Sequence, residues 1–210
     1  PVSLQKLLFG VARWCHQDHG VAQHRPRIYI VGIRKDCKEP SHEFSFPDPL
    51  PAVSIEDVLD QAERRPTMSD LPPSTSKTAR ANVEEILGRL TAQGCDPFLK
   101  TYVLDVDSSR RFRSVRKDCS MCLTSSRGRC GLWLSSRGRR MNVDEMLRVQ
   151  GMDRSFKQVV SDSALGAMIG NAFSQNVIER LLIQLLPAVG LIKRERLRDR
   201  WAAAAVASQV

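Results

Sequence analysis

Arg25 and Arg27 bracket a proline in Gln23-His24-Arg25-Pro26-Arg27, and the run Ile28-Tyr29-Ile30-Val31-Gly32 follows directly. Positions two apart share a side of an extended chain, so the two guanidiniums face the same way at the mouth of an apolar strand. Backbone pairing holds such a strand mouth still. A fixed guanidinium there can polarise a carbonyl oxygen or clamp an anion. On spacing alone, the pair also reads as charges on a solvated loop. A second cluster holds Arg127, Arg129, Arg137, Arg139 and Arg140, interleaved with Gly128, Gly138 and several hydroxyls. Glycines let a backbone approach a surface closely, while arginines and hydroxyls bind phosphates or guanine edges. Trp133, between the basic groups, has the shape to wedge or stack; a solvated basic loop is the bland alternative. A third stretch, Gly170-Asn171-Ala172-Phe173-Ser174-Gln175-Asn176-Val177, reads as the opening of an amphipathic helix, whose first N–H groups are free for a ligand. A helix cap is the alternative there.

The six cysteines offer less. Cys119 and Cys122 have the spacing of a metal knuckle and Cys130 is near, but no fourth ligand lies in the neighbouring sequence. The expectation is reduced thiols and no metal site. None of Cys15, Cys37, Cys95, Cys119, Cys122 or Cys130 follows a proline.

The elements that must position these groups are partly legible. Leu4, Leu7 and Leu8 predict a short helix ending near Gly10, followed by a strand at Val11 to Cys15. With Ile28 to Ile33 as a second, buried strand, an antiparallel hairpin is expected, turning at Gly20. Prolines between Cys37 and Pro51 mark a surface connection. Ser54-Ile55-Glu56-Asp57 resembles a capping box, with Val58 and Leu59 in the helix it starts. After a linker at Asp70 to Ser76, Val83, Ile86, Leu87 and Leu90 fall on one face of a helix from Lys77 to Gln93, stopped by Gly94. Tyr102 to Val106 is a short strand, and Ser108 to Arg140 reads as irregular. Asn142 caps a helix closed by Gly151, and Ser161 starts another through Leu165, Met168 and Ile169, closed by Gly170. A helix from about Ser174 to Leu186 is stopped by Pro187. Lys193 to Arg200 reads as a solvated helix face with pairs such as Glu195 with Arg198 and Arg196 with Asp199.

With 210 residues, of which 42% are hydrophobic, the chain can bury a core. A net charge of +9 and a pI near 9.6 favour polyanionic partners, nucleic acid ahead of anionic membrane. No apolar run approaches the ~20 residues of a membrane helix. Irregularly spaced cysteines without a signal-peptide pattern point to an intracellular protein. Pro1 is no translation start, so a processed chain or a fragment is expected.

The same residues resemble a known family. The stretch Asp18 to Arg27 is similar to the motif Gly-Val-Pro-Gln-x-Arg-x-Arg of DNA cytosine-5 methyltransferases, with Ala22 in place of proline. Leu123-Thr124-Ser125-Ser126-Arg127-Gly128, then Arg137 to Met141, then Glu145 to Gly151 resemble the end of that family's target-recognition region, with Met152-Asp153 replacing Phe-Pro. Gly170-Asn171-Ala172 is similar to the element beside its cofactor pocket. The resemblance spans roughly Gly20 to Leu186. Cys37 to Asp118 resembles nothing in particular, as a sequence-reading region would.

It implies an α/β fold: part of an S-adenosyl-methionine-dependent, Rossmann-like methyltransferase with a small target-recognition domain. The implied division is 1–36 as sheet-edge strands, 37–140 as target-recognition region, 141–190 as helices returning to the core, and 191–210 as a basic, Ala-rich tail. Arg27 would contact the target cytosine, supported by Arg25 and Gln23. Asn171 and Ala172 would contact S-adenosyl-methionine. Arg127, Arg129, Arg137, Arg139 and Arg140 would engage DNA. The family's Pro-Cys nucleophile, its Glu-Asn-Val motif and its Phe-x-Gly-x-Gly loop are not in this sequence. The chain is therefore expected to be a C-terminal portion, inactive alone, whose partners are DNA and the missing N-terminal half, and nuclear if eukaryotic. A non-catalytic basic module derived from such an enzyme is the alternative, and a zinc-dependent interaction domain a third reading.

Overall fold

The computed structural model describes residues 7–153 and 155–207, with side chains at 10–153 and 155–205. In chain order the strands are β1 (Leu7–Cys15), β2 (Gln23–His24), β3 (Pro26–Arg34), β4 (Tyr102–Asp105), β5 (Ser114–Lys117), β6 (Ser120–Met121), β7 (Trp133–Leu134) and β8 (Arg139–Arg140). The helices are α1 (Lys77–Ala92), α2 (Ser125–Cys130), α3 (Val143–Val149), α4 (Asp162–Asn171), α5 (Gln175–Ala188) and α6 (Arg200–Ala207). Among the described residues no helix is long and apolar enough to cross a membrane. The chain divides into two compact units, one of residues 1–21, 25–52 and 173–210, the other of 22–24 and 53–172.

The first unit is built on the antiparallel pair β1–β3, in register from Leu7 opposite Arg34 to Cys15 opposite Pro26. The expected hairpin is present. Leu7 to Gly10, however, belongs to β1 rather than to a helix, and Leu4 lies outside the described residues. Nine paired positions satisfy the backbone along this run, and that ladder overrides the helical preference of leucine. Nor is β3 buried on both sides. Tyr29, Val31 and Ile33 face the core, whereas Ile28 and Ile30 are each 67% exposed. Val31 and Ile33 pack with Ala188, Leu181 and Leu185 of α5 and with Phe44 and Phe46 of the irregular connection. Pro187 lies inside the final turn of α5 instead of beyond its end; the helix gives up one backbone hydrogen bond there and ends one residue later, at Ala188.

The second unit has two cores. In one, α1 lays Val83, Ile86, Leu87 and Leu90 against Tyr102, Leu104 and Trp133 of the four-stranded sheet, whose order is β5-β4-β7-β8. Each buried aliphatic side chain contributes about 1.5–3 kcal/mol. The other core joins Ile55, Leu59, Val103, Leu123, Leu132, Leu134, Met146, Leu147, Leu165 and Ile169. Residues on both sides of position 140 share it. The Ser54 capping box forms, but around a 3-10 turn, Ile55–Val58, that leaves Leu59 outside. Gly94 and Gly151 follow α1 and α3 in the left-handed region, with φ of +74° and +73°.

Ser108 to Arg140 is not irregular. It holds four short strands and α2, two of the strands pairing with β4 and one, β6, running parallel to β2. Trp133 is 5% exposed and packs in the α1 core, so it neither wedges nor stacks.

Candidate functional site

In the first unit, Arg25 and Arg27 stand at the start of β3, where Trp14 is opposite Arg27 in the ladder. Their exposures differ: Arg25 is buried and Arg27 exposed. Arg27 donates through Nη1 to the carbonyl of Pro26 at 2.7 Å, which folds its guanidinium back over the strand mouth. Behind them, His16 bridges two hydroxyls, Ser174 Oγ at 2.5 Å from Nδ1 and Tyr29 OH at 2.9 Å from Nε2. Burial, then the fields of Arg25 and Arg27, push the His16 pKa down to about 3, so the ring is neutral and one nitrogen donates while the other accepts. Burial also raises the Tyr29 phenol above its usual value, against the pull of the same arginines. Ser174 is the N-cap of α5, yet its hydroxyl caps nothing and serves His16.

A second buried clamp holds the turn between β1 and β3. Arg180 of α5 donates to His19 Nδ1 (2.7 Å) and to the Asp48 carbonyl (2.8 Å), and its Nε donates to Asp199 (2.8 Å). Burial, followed by Arg180, lowers the His19 pKa to about 4, partly opposed by Asp199. Asp199 therefore does not pair with Arg196. Lys193 to Arg200 is no helix face but a 3-10 turn, Arg194–Arg196, and an extended piece. Arg180 draws Asp199 inward, and Arg200 pairs with Glu179 at 2.7 Å.

In the second unit, Gln23 is fully buried in β2, and neither atom of its side-chain amide finds a protein partner. A buried amide without partners is costly. The arginine cluster is mostly engaged. Arg140 is bidentate to Asp107 (2.7 and 2.8 Å), Arg139 to the fully buried Glu145 (2.8 Å twice), and Arg137 donates to Glu56 at 2.8 Å. Arg127 lies 2.7 Å from Asp105 as an ion pair and donates to Ser108 Oγ at 2.7 Å. Arg129 alone of the five is exposed. Glu145 is also the capping-box residue of α3 and accepts from the backbone of Asp60 and Asn142.

Glycines of this region do allow a close approach, but to the protein's own backbone. A Cβ on Gly128 would lie 1.8 Å from the carbonyl oxygen of Gly166, one on Gly166 1.9 Å from that of Gly128, and one on Gly170 2.3 Å from that of Thr124. These three positions bring α2 onto α4. Gly170 is therefore inside α4 rather than its stop. Asn171 is the last residue of α4 and Ala172 its C-cap, so Gly-Asn-Ala closes a helix instead of opening one. The Ala172 N–H is taken by the carbonyls of Met168 and Ile169. The helix that the stretch opens starts further on, at Gln175, where Ser174 gives no side-chain cap; at 171–172 what remains is the exposed Asn171 side chain. One amide is too little to hold a nucleoside-sized cofactor, so these two residues can form only an edge of such a site. Cys119, Cys122 and Cys130 form no disulfide, and no group of three His, Cys, Asp or Glu side chains among the described residues is placed to hold a metal.

Gly166 carried no signal in the sequence beyond its four-residue spacing from Gly170. Ser174 and His16 carried none, being far apart in the chain.

The arrangement is that of a mixed α/β, partial methyltransferase fold. A solved methyltransferase of Entamoeba histolytica, EhMeth, superposes with a TM-score of 0.52 over 87% of this chain and 54% of its own, at 15% identity. The model of C-5 cytosine-specific DNA methylases matches residues 15–186, and the chain belongs to that family. A curated relative, the type II methyltransferase M.SsoII of Shigella sonnei, is 27% identical over 175 residues, 81% of this chain. The chain spans 42% of that relative's length.

Proposed function

We propose that this chain is the C-terminal part of a DNA cytosine-5 methyltransferase, which becomes active with the remaining part of the enzyme. The observation that carries the reading is the strand mouth of β3. There the charges of Arg25 and Arg27 act on a neutral His16 that Ser174 and Tyr29 hold by hydrogen bonds, within the 15–186 match to the family. Exposed Arg27 would polarise O2 of a cytosine extruded from the duplex, and buried Arg25 would hold the local field that favours it. The orphaned amide of Gln23 would gain its partners from the substrate or from the rest of the enzyme. S-adenosyl-methionine, when bound, supplies the methyl group for C5; Asn171 would offer it one polar contact at the end of α4. The attacking thiolate belongs to a segment that this sequence does not contain, because none of its cysteines follows a proline.

The test is methyl transfer from labelled S-adenosyl-methionine to DNA. The isolated chain should transfer none, and the product of the parent transcript, read upstream into a Pro-Cys motif, should be active. Transfer by the isolated chain, or a parent transcript without that motif, overturns the reading.

A further inference from the structure

We infer that the β4–β5 hairpin, residues 106–117, is a preset nucleic-acid contact that presents Phe112 to bases and Arg111, Arg116 and Lys117 to phosphates. The inference rests on the reading of the chain as a DNA enzyme, but it assigns the contact to residues outside the arginine cluster of 127–140. Three observations meet in this hairpin. Its turn is built by N–H groups of Phe112 and Arg113 donating to the Ser109 carbonyl (2.8 and 3.0 Å). That turn is then tied to α1 from both sides. Asn82 Nδ2 donates to the carbonyls of Val106 (2.8 Å) and Ser108 (2.9 Å), while Glu85 receives Arg113 Nη1 at 2.7 Å and pairs with Arg110 at 3.1 Å. The loop is thus held before any ligand arrives, which removes part of the ordering cost of binding.

The tip it presents is amphipathic in an informative way. Phe112 is 70% exposed, with the Arg111 guanidinium 5.6 Å from its ring centroid. An unburied aromatic beside a cation on a rigid turn suits stacking on, or wedging between, bases. Below it, β5 is the outer strand of its sheet and carries exposed Arg116 and Lys117. Arg111, Arg116 and Lys117 have no ion pair among the described residues, in contrast to Arg127, Arg137, Arg139 and Arg140. Arg116 and Lys117, neighbours on an extended strand, project to its two faces, and Arg111 stands at the turn, so the hairpin offers separate cations to phosphates around its edge. Charges on an edge strand also guard it against pairing with other strands. That role is indifferent to sign; phosphate binding is not.

The experiment is binding of a short mixed-sequence DNA duplex to the chain, by fluorescence anisotropy at several salt concentrations. Circular dichroism checks that each variant is folded. Replacing Arg111, Arg116 and Lys117 together by alanine should lower the slope of log K against log salt by about 3. Phe112→Ala should weaken binding roughly 5- to 150-fold with the slope unchanged. Arg116→Glu with Lys117→Glu should leave a folded chain that binds more weakly than the alanine variants. Variants that bind like the parent, or a charge-reversed pair that binds equally well, overturn the assignment while leaving the function intact. A parent chain that binds no duplex removes both.

Discussion

The contact between α2 and α4 makes a sharp prediction, because the same substitution should have opposite signs at two helical glycines of one unit. Gly166→Ala places a methyl 1.9 Å from the Gly128 carbonyl oxygen, where ordinary contact begins at 3.4 Å. The obstacle is backbone, so no side-chain rotation relieves it, and the two helices must separate by about 1.5 Å. Gaps of even ~0.5–1 Å forfeit a quarter to a half of each dispersion contact across them. Alanine gains about 1 kcal/mol in helix propensity over glycine. Overpacking costs about 1–3 kcal/mol, more where nothing can yield. The clash should win, for a net loss of about 2 kcal/mol or more. At about 2–4 °C per kcal/mol for a chain of this size, the melting midpoint should fall by roughly 4–8 °C. Gly88 in α1 has open space where its Cβ would stand. Gly88→Ala should raise the midpoint of the same unit, through a gain of about 0.5–1 kcal/mol. Thermal melts of both variants, followed by circular dichroism, decide. If Gly166→Ala melts as high as Gly88→Ala, the helices do not touch backbone to backbone, and the packing argument fails.

The two buried histidines predict an acid-sensitive first unit. Their folded pKa values, about 3 for His16 and about 4 for His19, lie below the usual 6.5, so the unfolded chain binds more protons between these limits. Stability is full above pH 6.5 and falls as pH drops toward 4 and then 3; urea midpoints at pH 7 and pH 5 should differ, less so in His16→Gln. Glu145→Ala removes the partner of half-exposed Arg139 and opens the α3 capping box, at a cost of about 1–3 kcal/mol in a urea titration; a change under about 0.5 kcal/mol would count against the capping box. In a completed enzyme, Arg27→Ala should lower turnover about 100- to 1000-fold while DNA affinity changes little; an unchanged kcat would remove Arg27 from the site.

What could be read from the sequence was what local chemistry decides. The apolar face and closing glycine of α1 appear where the periodicity put them, as does the Asn142 capping box. What could not be read depends on distant partners. The start of α4 at Ser161 was legible, but its end was set short because Gly170 looks like a helix stop, when its value, like that of Gly166, lies in the backbone carbonyl that it admits, of Thr124 and Gly128 respectively. The arginines of 127–140 look free in the sequence. Their carboxylates, Glu56, Asp105 and Asp107, lie 22 to 81 positions away. For the same reason Asp199 looked like a neighbour's partner when it belongs to Arg180.

That Arg180 closes the first unit also fixes when this unit can be finished. The second unit draws almost wholly on the continuous stretch 53–172, and it can fold as soon as that stretch leaves the ribosome. The first cannot, since Val31 and Ile33 wait for Leu181, Leu185 and Ala188, and His19 waits for a guanidinium made some 160 residues later. At synthesis rates of about 5–20 residues per second, the β1–β3 pair spends roughly 8–30 s with its inner side uncovered. During that interval Val31 and Ile33 are apolar surface open to other chains.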